Sequence, residues 1–201
     1  MRFDSPLDDV FLNRSHVRTL RALYHLPEGL PASGREIARR AGVTHPTALR
    51  ALAVLAEAGL VTIARSSSGE GYELNRDHFF SDQIAGLYQA DARVKGELVT
   101  YLARELLART DKVEWATLFG SIAWGETTPT SDIDVAVSCA PAAVDEVENA
   151  LTDLSDGTRR QFGNHVSPLI NTRQQRSKSG IWKRIEEEGV PLIRSGKAIS
   201  P

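Results

Sequence analysis

Leu118-Phe119-Gly120-Ser121, ten intervening residues, then Asp132-Ile133-Asp134-Val135-Ala136-Val137 is the stretch that decides how the second half of the chain folds. Glu114 to Phe119 reads as a strand, Gly120-Ser121 as a turn opening a helix, and Asp132 to Val137 as a second strand bearing two carboxylates. Residues two apart on a strand share a face and lie about 6.6 Å apart by their rise. Asp132 and Asp134 are therefore expected on one side, with Ile133, Val135 and Val137 turned into a core. Two carboxylates so spaced suit a hard divalent cation, Mg²⁺ preferably or else Mn²⁺, held between them and substrate phosphates. Gly120 would let a backbone approach a phosphate, and the Ser121 hydroxyl with the amides after it lies where a helix start favours anions.

Working outward, the region from Val113 to the end alternates strand-like runs with helical stretches, as α/β or α+β units do. The next candidate strand, Asn164 to Ile170, holds no Asp or Glu, so a third carboxylate is not found there. His165 within it has the chemistry of a base, although a lone strand histidine is more often a surface or satisfied core residue. Pro168 marks this strand as an edge or a bulge. Upstream, Ser81 to Thr110 lacks proline and sets Ile84, Leu87, Tyr88, Val94, Leu98, Tyr101, Leu102 and Leu106 at mostly helical intervals. That helix is either a dimer seam or buried against its own chain. Trp115, Trp124 and Trp182 could stack a base, though buried aromatics are the commoner case. Arg173, Arg176, Lys178, Lys183 and Arg184 form a basic stretch that suits either phosphates or a solvated helix face.

The first 80 residues carry a different pattern. Leu12 to Leu26 places Val17, Leu20, Leu23 and Tyr24 on one helical face. Ser33 to Glu36 fits a reciprocal capping box opening a short helix around Ile37. Gly42 makes the turn, Thr44 is a plausible cap, Pro46 sits in a first turn, and the following helix is expected to bury Leu49, Leu52, Ala53 and Ala56 before Gly59. Leu60 to Ala64 and Gly71 to Leu74 then pair as a hairpin. Between Asn13 and Arg50 seven arginines face two glutamates, a net of +5; with −2 overall, the remainder carries −7. A positive head on an acidic body suggests an anionic partner for the head alone.

The helix, helix, turn, helix, hairpin order, with Glu36 to Thr44 and Leu49 to Val61, resembles winged helix-turn-helix regulators of the MarR and ArsR type. The resemblance implies double-stranded DNA as partner, with Arg35, His45, Thr47 and Arg50 at or near the groove, and Arg65 with Ser66, Ser67 and Ser68 in the wing. Gly120-Ser121, the ten-residue spacing, Ala123, Gly125, Glu126, Pro129 and Ser131-Asp132-Ile133-Asp134 resemble the minimal nucleotidyltransferases of the DNA polymerase β superfamily, as does the helix-then-strand ending Ile181 to Leu192. That family usually has Arg or Lys where this chain has Trp124, and a third carboxylate on a later strand. The resemblance implies Asp132 and Asp134 as catalytic metal ligands and Gly120, Ser121 and Ser131 as nucleotide contacts. It also implies attack of an acceptor hydroxyl on the α-phosphorus, with pyrophosphate leaving.

The expected class is α+β: a winged helix-turn-helix domain over 1–80, a linker helix over 81–110 and a polymerase-β-like α/β domain over 111–201. The expected function is a DNA-binding regulator whose second domain binds NTP–Mg²⁺. The alternatives are an active nucleotidyltransferase acting on a nucleic-acid, protein or small-molecule hydroxyl, and an antitoxin-type protein with a protein partner. A homodimer is an expected assembly. No apolar run is long enough to span a membrane, the N-terminus lacks the apolar core of a secretory signal, and the lone Cys139 can form no internal disulfide, so a cytoplasmic location is expected.

Overall fold

The computed structural model describes residues 11–67, 69–128, 130–172 and 180–199. Ser68, Pro129, Arg173, Arg176 and Lys178 lie outside the described residues. The chain divides into two units, Met1–Ala92 and Arg93–Pro201. Among the described residues no helix is long and apolar enough to cross a membrane.

The first unit holds α1 (Arg14–Tyr24), β1 (Ala32–Ser33), α2 (Gly34–Ala41), α3 (His45–Glu57), and a hairpin of β2 (Val61–Ser66) and β3 (Gly69–Leu74). The α4 helix (Ser81–Arg109) begins in this unit, where its Ile84 and Tyr88 join a core of Leu20, Leu23, Ile37, Leu52 and Leu55. This is a winged helix-turn-helix. Gly42, at φ +62, closes α2 in the left-handed conformation, and Pro46 lies in the first turn of α3. The hairpin is longer than the sequence pattern suggests, pairing Ser66 with Gly69, and β1 adds a third strand against β3.

Three expectations are corrected here. On α3 the buried positions are Ala48, Ala51, Leu52 and Leu55, while Leu49 is 36 % exposed, Ala53 is exposed and Ala56 half-buried. Two alanines let the helix backbone come close to its neighbours. Leu49 instead rests over Gly34, its Cδ2 2.8 Å from where a Cβ would stand. The capping box is half formed: the Glu36 amide donates to Ser33 Oγ at 3.3 Å, but the Glu36 carboxylate turns to Arg39 and Arg40, at 2.7 and 2.6 Å. Those two charge-assisted bonds hold its carboxyl down at about 2. Thr44 stands at the cap position of α3 without a side-chain cap bond; its hydroxyl meets Thr47 Oγ1 at 2.8 Å.

The second unit contains the rest of α4, then β4 (Val113–Phe119), α5 (Gly120–Trp124), β5 (Ile133–Cys139), α6 (Val144–Phe162), β6 (Val166–Thr172), α7 (Gly180–Glu188), β7 (Val190–Arg194) and β8 (Lys197–Ala198). The sheet order is β6-β5-β4-β7-β8, with β5–β6 parallel and the other pairs antiparallel. Its two faces are sorted by alternation along the strands. Ile133, Val135, Val137 and Cys139 pack with Leu98, Leu102 and Leu106 of α4 and Val147, Leu151 and Leu154 of α6. Trp115 and Ala136 face the other way, against Trp182 and Ile185 of α7. Asp134 shares the parity of Ala136, so its side chain belongs to the α7 face. Pro168 lies on β6, an edge strand, where its missing N–H removes no bond to a second neighbour.

Candidate nucleotide site and nucleic-acid interface

The last residue of β4, Phe119, pairs with Asp134 of β5, which brings Gly120 level with that carboxylate. Gly120 has φ +70, and a Cβ there would overlap Asp134 Oδ2 and stand 2.9 Å from its Cγ. The freedom at Gly120 therefore serves Asp134 first: the space a side chain would take is filled by the acid itself. Asp132 precedes the strand, which starts at Ile133, and it is exposed. Burial pushes the Asp134 carboxyl up from its ordinary value, the Asp132 charge pushes it further, and a hydrogen bond with Ser167 pulls it back. The two acids thus feel each other's charge.

Ser167 sits directly beside Asp134 in the parallel register of β6. The β6 neighbour of the second aspartate is therefore a hydroxyl, and among the described residues no group of three His, Cys, Asp or Glu could hold a metal. His165 is exposed, and its carbonyl accepts the Ile133 N–H at 2.8 Å, so its backbone seats the start of β5. Ser121 lies in the five-residue α5, and its carbonyl accepts from Gly125 and Glu126. The Ser131 hydroxyl accepts the Thr128 N–H at 2.8 Å and its carbonyl takes Asn164 Nδ2 at 2.8 Å. Ser131 is thereby committed to bracing its own loop.

One group was missed in the sequence as part of this corner. Arg184 of α7 lays its guanidinium over Trp124, with Cζ 3.9 Å from the ring centroid, while its Nε donates to Glu188 at 2.9 Å. A cation thus stands at the residue closing the Gly-Ser helix, delivered from another element. The signal was present as an aromatic at 124 and an arginine on the last helix, but only the fold joins them. Trp115 and Trp182 are buried against each other, with ring centroids 6.0 Å apart, which makes them core rather than a base platform. The two carboxylates are hard oxygen donors of the kind Mg²⁺ takes, and oxygen ligands from outside the described residues would have to complete its shell.

In the first unit the candidate DNA contacts fall into three places. Arg35 and His45 line one hollow together with Leu49, Glu70 and Tyr72. Thr47 and Arg50 line another with Asn13 and Arg14, and Arg50 Nε donates to the Pro46 carbonyl at 3.3 Å. Asn13 and Arg14 escaped the sequence reading as contacts. Asn13 was recognisable as a cap, its Oδ1 accepting from Ser15 and His16, but its nearness to α3 was not. In the wing, Ser67 is exposed in the turn, and Arg65 pairs with Glu70 at 3.3 Å, while Tyr72 donates to the same carboxylate at 2.9 Å. Among the described residues Arg14, Arg35 and Arg50 have no carboxylate partner, whereas Arg21, Arg39 and Arg40 do.

Residues 12–70 match the MarR family, and residues 103–196 match the family described as Polymerase beta, Nucleotidyltransferase. No curated protein and no solved structure matches the chain. The chain therefore carries a MarR-type winged helix-turn-helix followed by a polymerase-β-type nucleotidyltransferase domain, each match covering less than half its length.

Proposed function

We propose that the protein is a DNA-binding transcriptional regulator whose second domain binds a nucleoside triphosphate together with Mg²⁺. The observation that carries the nucleotide half is the Gly120–Asp134 contact, in which a left-handed glycine gives up its side-chain space to a half-buried acid. Such an acid, raised by burial and by a neighbouring carboxylate, is relieved when a cation joins it. Asp132 and Asp134 would hold the metal, whose part is to neutralise triphosphate charge. Ser167 restrains the Asp134 carboxylate by its hydrogen bond. Arg184, fixed on Trp124, offers its remaining N–H groups to phosphate oxygens.

Ser167 favours binding over turnover. A serine hydroxyl beside Asp134 cannot draw a proton from an acceptor as a carboxylate does, and general-base help contributes about 10²–10⁴ in rate. For the DNA half, α3 presents His45, Thr47 and Arg50, with Arg14 and Arg35 close by in the two hollows, and unpaired arginines there suit phosphates.

Calorimetric titration of the full chain with each of the four NTPs, with and without Mg²⁺, tests the nucleotide half. The expected result is heat with at least one NTP, only with Mg²⁺, abolished in the Asp132→Ala, Asp134→Ala double variant. No heat with any of the four overturns it. Mg²⁺-dependent incorporation of labelled nucleotide into an acceptor would instead establish the active-enzyme alternative.

A further inference from the structure

A cavity of about 390 Å³ opens on the side of β5 away from the aspartates. Gly120, Asp132 and Asp134 do not line it, whereas Ile133, which points opposite to Asp134, does. Its body is apolar, built from Leu98 of α4, Ile122 of α5, Phe162 at the end of α6 and Ile133. A benzene ring occupies a cavity of about 150 Å³, which leaves room here for two linked or fused rings.

The polar lining is of one kind. Lys95 brings an ammonium, and hydroxyl and amide groups come from the loop that ends at Ser131 and from Asn164; among the described residues no carboxylate lines the space. Lys95 Nζ donates to the Ala123 carbonyl at 2.9 Å, which holds it at the rim with two donors left over. The loop wall is already braced by the Thr128–Ser131 and Asn164–Ser131 bonds, so the hollow is formed before any ligand arrives. An apolar body with a few converging polar groups is the usual form of a small-molecule site.

From this we infer that the second domain has a separate binding site for a small aromatic organic anion, its rings against Leu98, Ile122, Ile133 and Phe162 and its charged group on Lys95. The assignment is independent of whether the aspartates bind nucleotide. A ligand there would touch Ser131 and Ile133, the two residues flanking Asp132.

The test uses 1-anilinonaphthalene-8-sulfonate and its uncharged counterpart N-phenyl-1-naphthylamine, titrated onto the full chain by fluorescence. Both are expected to bind saturably, one per chain. Val94→Trp and Thr127→Trp alter exposed lining positions, and circular dichroism checks that each variant remains folded. At least one is expected to weaken both probes by about tenfold or more, equivalent to about 1.4 kcal/mol. Lys95→Glu is expected to weaken only the sulfonate by that factor. Absence of saturable binding, or affinity unmoved by both tryptophans, overturns the site. Lys95→Glu acting equally on the two probes, or on neither, overturns its assignment to anions.

Discussion

A methyl group at position 120 would meet the carboxylate of Asp134, and it would do so at a φ that L-residues avoid. Gly120→Ala is therefore expected to lower unfolding free energy in urea by at least about 1 kcal/mol, the usual cost of a left-handed non-glycine residue. The same variant is expected to lose NTP–Mg²⁺ heat. Asp134 yields a prediction of opposite sign. Its carboxyl titrates above the ordinary aspartate value, so in the window between the two the folded chain keeps a proton that the unfolded chain has shed. Stability falls as pH rises through that window and does not return above it. Asp134→Asn should then melt higher than the wild type at pH 7, and the gap should close when pH drops below the unfolded carboxyl's range. A scanning-calorimetry series across pH reads this; an Asn variant less stable at pH 7 would contradict it. The electrostatic nearness of Asp132 to Asp134 was legible from their spacing, but Asp132 lies just before the strand that was expected to carry both. The contact of Gly120 with Asp134 and the stack of Arg184 on Trp124 were not legible, because each joins residues fixed only by strand pairing or by the seat of α7.

At the scale of elements, α3 shows where periodicity is weak evidence. Leucine and alanine both count as apolar, so Leu49 and Ala48 compete for the same inward position. Backbone proximity decides for the smaller one, which a pattern cannot weigh. Gly42, Pro46 and the Ser33 hydroxyl were easier, since they act through local geometry alone, whereas Glu36 and Thr44 are drawn to other side chains. The hairpin was underestimated because Arg65, Ser66, Gly69 and Glu70 read as loop, although strand pairing draws them in. For the proposed DNA binding, the elements to test are the α3 face with its neighbours Arg14 and Arg35, and the wing with its Arg65. Arg50→Ala and Arg14→Ala are each expected to weaken DNA binding and to make its salt dependence shallower by about one unit of slope. Glu70→Gln removes the partner of Arg65 and is expected to tighten binding at low salt, an effect that fades as salt is raised. Fluorescence anisotropy with a labelled duplex, repeated over a salt series, measures all three. An unchanged slope for both arginine variants would remove α3 from the interface.

Over the whole molecule, charge is divided: a net of +5 between Asn13 and Arg50, and −7 in everything else. The two proposed ligands, both polyanions, should respond to salt differently. Duplex affinity is expected to fall by about tenfold or more between 50 and 200 mM salt, because several condensed counterions are released on binding. NTP–Mg²⁺ affinity should change far less, since its cation is held by close carboxylates rather than by a diffuse field. Parallel titrations at the two salt concentrations make the comparison, and equal slopes would place both ligands on the same arginines.

The β6 edge has a consequence for the life of the protein in a crowded solution. A free strand margin is a template onto which a stranger's chain can zip, and templated growth of that kind ends in fibres. Here the margin is interrupted by an imino acid, Pro168, that offers nothing to a newcomer at mid-strand, while the opposite margin, β8, is only two residues long. The sheet is thus guarded against self-templating at both of its borders by means unrelated to any ligand.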